Sequence, residues 1–446
     1  MTTKSSTNPN KYLSDCQKVL VEAQARGDNK EISLAHAYLG YALFLVRKYT
    51  QGMENFDKAL ELASDEGEEF QVRCLGIKTV AYRDIKRYPD AYKTVEEILK
   101  IAEQTGNDGI RCDAIISQGN ILQESGEPVI SLERLKEGLA IAKRLGDKRR
   151  MMNAFGSMGD LSIAVASNDK AEEYLEEAIA LARELGDKRA EYGYLGNLGI
   201  VYVWQKRYIK AADNFKQVLG YLQKSGEKDA EIQVLRHLVQ IHSALNEPEK
   251  VIDYAHEGLE LVRGKDNETA FIFYENLVKA CYLLNHFKEG NAGALEAIEL
   301  ARAAKNEQKE FEFLISLGES YVVTDEIDKA LGIYRQALDL ARRTDKDIKA
   351  AYLTGRVGFA LAELGNLEDA IPLHKEAVEL ARAQDLPDLE GEQLTMLAMA
   401  YRDLGALQEA MNYCKMAIDV FREAKLDSQE TNINKFLKEI EALQTS

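Results

Sequence analysis

Apolar residues follow the chain in helical stripes separated by short polar turns, and this pattern returns every 39 or 40 residues. One position in the middle of the first stripe of each period, usually small, marks the register: Gly40, Thr79, Gly119, Gly159, Gly199, Val239, Val278, Gly318, Gly358 and Ala398. A second, usually small position follows twelve residues later, and a third follows seven residues after that. Ten periods in one register indicate a repeat protein.

Each period predicts two antiparallel helices, here called the first and second helix of a repeat, because the turns between stripes are too short for another connection. The apolar stripe from Ile433 to Leu443 adds a lone first helix at the end of the chain. We therefore predict an all-α solenoid of 22 helices. Its predicted parts are a disordered tail over 1–10, a half-repeat helix over 11–32, ten repeats over 33–430 and a capping helix over 431–446.

The regularity of the repeat changes along the chain. Glycines follow the second helices of the first repeats, where a left-handed residue is expected to end the helix: Gly27, Gly67, Gly106, Gly146, Gly186 and Gly226. Repeats 6 and 7 depart most from the pattern, with β-branched residues and alanines at key positions: Val239, Val251, Val278, Ala255 and Ala294. This irregularity predicts a softer segment or a change of superhelical pitch around 232–310.

The composition fits helices and excludes several classes of protein. Only 6 residues are proline, and no proline- or glycine-rich stretch marks a linker. The formal net charge of -17 opposes binding to phosphate backbones, so we predict no nucleic-acid partner. No run approaches the ~18 apolar residues of a membrane-spanning helix, so no membrane insertion is predicted. The five scattered cysteines predict free thiols in the cytoplasm.

The repeat resembles the tetratricopeptide repeat. The resemblance is carried in repeat 5 by Leu198-Gly199-x-x-Tyr202, Tyr208-x-x-Ala211, Phe215 and Val218, and repeats 1, 8 and 10 share this skeleton. The 40-residue unit is similar to the long-helix subclass, which includes Leu-Gly-Asn-repeat polarity adaptors, kinesin light chains and bacterial peptide-pheromone receptors. The resemblance implies a right-handed superhelix whose concave wall is made by first helices and binds extended peptides or partner helices.

In such repeats certain first-helix positions face the groove, and here they carry amides, cations and aromatic rings. Amides can bond to a peptide backbone, arginines to carboxylates, and aromatic rings to apolar anchors. Several cations on this wall suit an acidic peptide. The candidate groove residues are Tyr38, Tyr41, Arg73, Arg83, Asn120, Asn197, Trp204, Arg236, His237, Asn276, Lys279, Arg356 and Arg402.

No catalytic or metal-binding motif accompanies the repeat. His237 and His242 are five residues apart and do not share a helix face, so no metal site is predicted. Gly193, Gly196 and Gly199 lie inside one helical pattern, where we expect packing residues rather than a phosphate loop.

We therefore predict a non-catalytic adaptor or scaffold without a cofactor, whose partner is a protein or an extended peptide. One alternative is a regulatory peptide sensor whose solenoid changes shape on ligand binding. Another is a self-assembling structural scaffold, and the oligomeric state is left open.

Overall fold

The computed structural model describes residues 8–344 and 347–445, and these residues form 22 α-helices joined by short turns. The predicted all-α fold and the number of helices are confirmed. The chain divides into two compact units between Ile241 and His242. Residues 1–7 of the predicted tail lie outside the described residues.

The first unit begins with a single helix, which is followed by first and second helices in alternation. Its helices are α1 (Pro9–Arg26), α2 (Asn29–Leu45), α3 (Tyr49–Ser64), α4 (Glu68–Asp84), α5 (Tyr88–Thr105), α6 (Asp108–Glu124), α7 (Pro128–Leu145), α8 (Lys148–Ala164), α9 (Asn168–Leu185), α10 (Lys188–Trp204) and α11 (Tyr208–Ser225). The division between the units falls inside α12 (Lys228–Ala244).

The second unit continues the alternation and ends with a single helix. Its helices are α13 (Pro248–Val262), α14 (Asn267–Leu283), α15 (Phe287–Ala303), α16 (Glu307–Val323), α17 (Ile327–Arg343), α18 (Asp347–Glu363), α19 (Leu367–Ala383), α20 (Pro387–Asp403), α21 (Leu407–Glu423) and α22 (Asp427–Thr445).

Within a repeat, the small residue of the first helix receives a large side chain of the second. In repeat 4, a Cβ added to Gly159 would lie 2.8 Å from Leu175 Cδ2. In repeat 5, a Cβ on Gly199 would lie 2.9 Å from Phe215 Cε2. Any larger residue at these glycines would push the two helices apart, which explains why the register of small residues is the clearest signal in the sequence.

Side-chain caps start helices earlier than the apolar stripes suggested. Asn8 Oδ1 accepts the backbone N–H of Asn10 at 3.0 Å, so α1 begins at Pro9 and includes two residues that were predicted to lie in the tail. Asp28 Oδ1 accepts the N–H of Lys30 at 2.9 Å and starts α2 at Asn29 rather than at 33. A cap satisfies backbone N–H groups that have no partner within the helix, so polar residues ahead of a stripe join the helix.

The turns contain residues in the left-handed backbone conformation, and the sequence predicted only some of them. Five of the six predicted cap glycines end their helices with φ between 64° and 76°, but Gly67, at φ 100°, instead precedes α4. Inside each of the ten repeats, the turn between the two helices also holds a residue with positive φ: Arg47, Lys86, Gly126, Ala166, Lys206, Asn246, Asn285, Asp325, Gly365 and Gly405. Seven of these are not glycine, so composition alone did not reveal them.

His374 is a buried polar residue of the second unit. It is 1% exposed, lies at the large-residue position of α19 and makes a 2.8 Å hydrogen bond through Nδ1 to Gln393 Oε1. Burial lowers the pKa of His374 below its usual value, against the opposing effect of the bond to Gln393. The folded state therefore favours the neutral ring.

We expect His374→Phe, which installs the residue that repeats 1 and 5 carry at this position, to reduce the acid sensitivity of the second unit. The folded-state pKa of His374 lies below the unfolded value of about 6.5. The stability that the neutral ring contributes is therefore fully present above the unfolded pKa, and it is lost as the pH falls from there through the folded-state pKa. Urea unfolding at neutral and acidic pH measures the effect. A decline in stability that is equally steep in the wild type and in His374→Phe would contradict it.

Candidate peptide-binding surface

The first helices of repeats 3, 4 and 5 form a polar cleft in the first unit. Its volume is about 390 Å³, and α6, α8 and α10 contribute its lining: Asp113, Ile116, Ser117, Asn120, Asn153, Gly156, Ser157, Asp160 and Tyr194. Of the candidate groove residues in these repeats, Asn120 lines the cleft, whereas Asn197 and Trp204 are not among its lining residues. We call this surface the first-helix cleft.

Four polar side chains of the first-helix cleft have free hydrogen-bonding groups. Asn120 and Ser117 are half-buried on α6, and Asn153 and Ser157 follow one repeat later on α8. None of these four side chains bonds to another described residue of the protein. Amide and hydroxyl groups arranged in this way can donate to and accept from the backbone of an extended segment.

Asp160 is the central charge of the first-helix cleft. Asn197 donates from Nδ2 to Asp160 Oδ1 at 2.7 Å and so links repeats 4 and 5. The surrounding protein removes part of the water from this carboxylate and raises the pKa of Asp160, although the bond to Asn197 acts in the opposite direction. A cation brought by a ligand would relieve this unfavourable desolvation.

Tyr194 forms one side of the cleft and was not foreseen from the sequence. Its ring lies over Gly156, where an added Cβ would be 2.4 Å from Tyr194 Cε1. Burial raises the pKa of the Tyr194 hydroxyl to about 12, and the charge of Asp160 adds to this effect. Ser117 and Ser157 were also missed, although the 40-residue register places both in line with Asn197.

Two of the three glycines of α10 are not packing residues, so that prediction is wrong for Gly193 and Gly196. A Cβ added to either of them would meet no atom within 4 Å, whereas Gly199 is pressed against Phe215. Gly193 and Gly196 lie on the same side of the helix as Asn197, so no side chain covers the wall of repeat 5 at these two positions.

Three of the six cations predicted for the wall are already paired with carboxylates. Arg83 donates from Nε to Glu124 at 3.1 Å, and Arg356 donates from Nε to Glu319 at 2.9 Å. Arg402 donates to the adjacent Asp403 at 2.7 Å. These pairs reduce the positive charge that an acidic peptide could use to three of the predicted cations, Arg73, Arg236 and Lys279.

The candidates at the beginning of the chain stabilise the fold. Tyr41 is 4% exposed and its hydroxyl donates to Asp84 Oδ2 at 2.5 Å, so it is a core residue. Tyr38 is half-buried and packs against the cluster that joins α1 to α2. Arg73 is exposed, and its guanidinium lies 5.5 Å from the centre of the Phe70 ring.

The remaining candidates, on α10, α12 and α14, differ in solvent accessibility. Trp204 is 49% exposed, whereas the ring of His237 stacks on Phe215 with 4.9 Å between centroids, and burial lowers the pKa of His237. The buried Nε of Arg236 has no hydrogen-bond partner among the described residues. In the second unit, Asn276 bonds to the backbone of its own helix and Lys279 is exposed.

The described residues hold no group of three or more histidine, cysteine, aspartate or glutamate side chains placed to bind a metal ion. The five cysteines are buried free thiols. Burial raises the pKa of each of these thiols, which lowers the reactive thiolate fraction. In the part of the chain that the structure describes, no helix is long and apolar enough to span a bilayer.

No curated protein sequence matches the chain. Among solved structures, BtubC from P. vanneervenii is 17% identical, with a TM-score of 0.43 over 50% of this chain and 92% of that one. A signal transduction ATPase from Pyrococcus horikoshii with a tetratricopeptide repeat sensor is 20% identical, with a TM-score of 0.47 over 82% of this chain and 55% of that one. The quorum sensor NprR from B. thuringiensis is 14% identical, with a TM-score of 0.35 over 76% and 99%.

Two family models match the chain. The model described as tetratricopeptide repeat matches residues 309–383 and 347–424. The model described as anaphase-promoting complex subunit 5 matches 25–125, 131–190 and 200–317, which together make up more than half of the chain. The chain therefore belongs to the tetratricopeptide-repeat proteins, and more than half of it falls in the family described as anaphase-promoting complex subunit 5.

Proposed function

We propose that the protein is a non-catalytic adaptor of the cytoplasm that binds an extended segment of a partner protein in the first-helix cleft. The observation that carries this proposal is the free amide and hydroxyl groups on two consecutive first helices. The repeat fold supports a protein or peptide partner, and the matched family is named after a subunit of a complex. The five free cysteines support a reducing compartment.

The cleft favours a segment with a basic side chain. The Asp160 carboxylate accepts from Asn197 and forms no ion pair with another described residue, so a lysine or arginine beside it would add a charge-assisted hydrogen bond. Asn120 and Asn153 would bond to the backbone of the same segment. This differs from the acidic peptide suggested by the sequence, because Glu124 and Glu319 already pair with arginines of the wall.

Probing an array of short peptides with the purified full chain tests the proposal. We expect binding to peptides that contain lysine or arginine, and Asn120→Ala/Asn153→Ala should weaken the affinity for a selected peptide by about thirtyfold, since each of the two lost backbone bonds costs about 1 kcal/mol. Gln408→Ala/Asn412→Ala, which removes two exposed amides from α21, is the matched control and should leave the affinity unchanged.

Equal affinities in the wild type and in Asn120→Ala/Asn153→Ala would contradict binding in the first-helix cleft. Loss of binding in both double variants would point to a general effect on the fold and would also contradict it. Circular dichroism of each variant separates a local change from unfolding.

A regulatory peptide sensor is a second candidate, favoured by the division of the chain into two compact units within α12. The predicted soft segment over 232–310 begins in the same helix. Small-angle scattering of the full chain with and without the selected peptide distinguishes the sensor from a rigid adaptor, because an unchanged radius of gyration contradicts the sensor.

A further inference from the structure

A second cleft lies in the second unit, between the second helices α13 and α15 and over the first helix α14. Its volume is about 660 Å³. Leucines line much of its floor, and glutamates lie at its rim. Its lining is His256, Leu259, Glu260, Val262, Arg263, Gly264, Asn267, Ala270, Tyr274, Leu277, Glu289, Ala292, Gly293, Glu296, Glu299 and Leu300. We call it the second-helix cleft.

The position of Tyr274 shows that this cleft is a departure from the repeat. Tyr274 is half-buried, and its hydroxyl donates to Glu296 Oε2 at 2.9 Å. The residues at the equivalent position of the other nine repeats are all buried: His36, Leu75, Ile115, Phe155, Leu195, Leu235, Leu314, Thr354 and Leu394. Repeat 7 is therefore the one repeat in which the side chain at this position is not fully buried.

Gly293 explains the opening. In repeat 4 the equivalent residue is Tyr174, whose ring covers Phe155 with 6.4 Å between centroids. Repeats 6 and 10 also carry tyrosine at this position, and repeat 7 has glycine. The missing side chain leaves space for the cleft beside Tyr274, while Leu277 beneath it remains buried.

The second-helix cleft is separate from the first-helix wall. Successive residues of a helix turn by about 100°, so Tyr274 points about 160° away from Asn276 and about 140° away from Lys279. Asn276 and Lys279 are the wall candidates of the same helix. A ligand in the second-helix cleft would therefore not touch these candidates.

The cleft is negative overall, because four glutamates and a single arginine, Arg263, line it. Glu289 bonds to His256 at 2.8 Å, and Glu296 accepts from Tyr274. Glu260 and Glu299 are exposed and form no ion pair with any other described residue. An apolar floor beneath several carboxylates is complementary to a segment that carries leucine-like side chains next to lysine or arginine.

We propose that the second-helix cleft is a second binding site, which takes a basic amphipathic helix of a partner protein. Apolar side chains of the helix would cover the half-buried Leu259, Tyr274 and Leu300, and its cations would pair with Glu260 and Glu299. The site does not depend on binding in the first-helix cleft.

A fluorescent helix-forming peptide of lysines and leucines, with the leucines on one face, is the probe for titration of the full chain. We expect Gly293→Tyr, which restores the residue of repeats 4, 6 and 10, and Glu260→Lys/Glu299→Lys each to weaken binding at least about tenfold. A peptide with serines in place of the leucines should bind at least about tenfold more weakly than the probe.

The controls separate this site from general attraction to an acidic protein. Gly332→Tyr adds a tyrosine at an exposed, open position of α17, and Glu133→Lys/Glu177→Lys makes the same change in net charge on second helices of the first unit. Both should bind the probe as the wild type does. Failure of the wild type to bind the probe, equal losses in the controls, or equal binding of the serine peptide would each overturn the proposal. Self-association abolished by Gly293→Tyr would also overturn it, because the occupant would then be a second copy of the chain.

Discussion

Phe215→Ala is expected to lower the free energy of unfolding of the first unit by about 3 to 5 kcal/mol. The ring is 2% exposed and fills the space above Gly199, and His237 stacks on it. Because Gly199 has no side chain, it cannot fill the vacated volume. Urea unfolding, followed by hydrogen exchange of the amides of α10 and α11, measures the loss.

Phe215→Leu is the matched control for this change. Leucine stands at the equivalent position of repeats 3 and 4, where Leu135 and Leu175 are completely buried. We therefore expect a loss of less than about 1.5 kcal/mol. Comparable losses for alanine and leucine at position 215 would show that the contact between the two helices of repeat 5 does not determine the stability of the unit.

Glu319→Ala is expected to destabilise the second unit by about 2 kcal/mol, because it removes the partner of a half-buried arginine. Glu319 accepts from both Arg356 and the hydroxyl of Tyr352, the latter at 2.8 Å. The guanidinium of Arg356 also lies 5.6 Å from the ring centres of Tyr334, Tyr352 and Phe359. Partial exposure of both charges makes the loss smaller than for a fully buried pair.

The double variant Glu319→Leu/Arg356→Met distinguishes the contribution of the ion pair to stability from that of side-chain packing. Apolar replacement of both members leaves no unpaired charge. We therefore expect the stability of the double variant to lie closer to that of the wild type than the stability of Glu319→Ala does. Urea unfolding of the three proteins gives the comparison. A double variant that is less stable than Glu319→Ala would show that the charges themselves stabilise the second unit.

The fold was predictable because the repeat itself is a packing pattern. Gly199 and its equivalents mark the closest approach of two helices, and one register therefore locates the first and second helices of every repeat. The exact helix ends were less predictable, because they depend on single hydrogen bonds such as that from Asn10 to Asn8. Left-handed residues such as Ala166 were also missed, since their side chains do not favour that conformation.

The positions of the candidate residues were predictable, but the hydrogen bonds and ion pairs that they form were not. The register placed Asn120 and Asn197 on the wall, yet it could not show that Asn197 bonds to Asp160 or that Arg356 pairs with Glu319. Such pairs join residues about one repeat apart, and their formation depends on side-chain geometry between helices. The second-helix cleft was invisible for a related reason, since it arises from a tyrosine that repeat 7 lacks at Gly293.

Hydrogen exchange of the full chain with and without a peptide selected from the array tests the central claim most directly. Binding in the first-helix cleft predicts slower exchange in α6, α8 and α10, with the second helices α7 and α9 changed less. Asn120→Ala/Asn153→Ala should remove this protection at the same peptide concentration. Protection confined to second helices, or to the second unit, would contradict a peptide-binding site on the first helices of repeats 3 to 5.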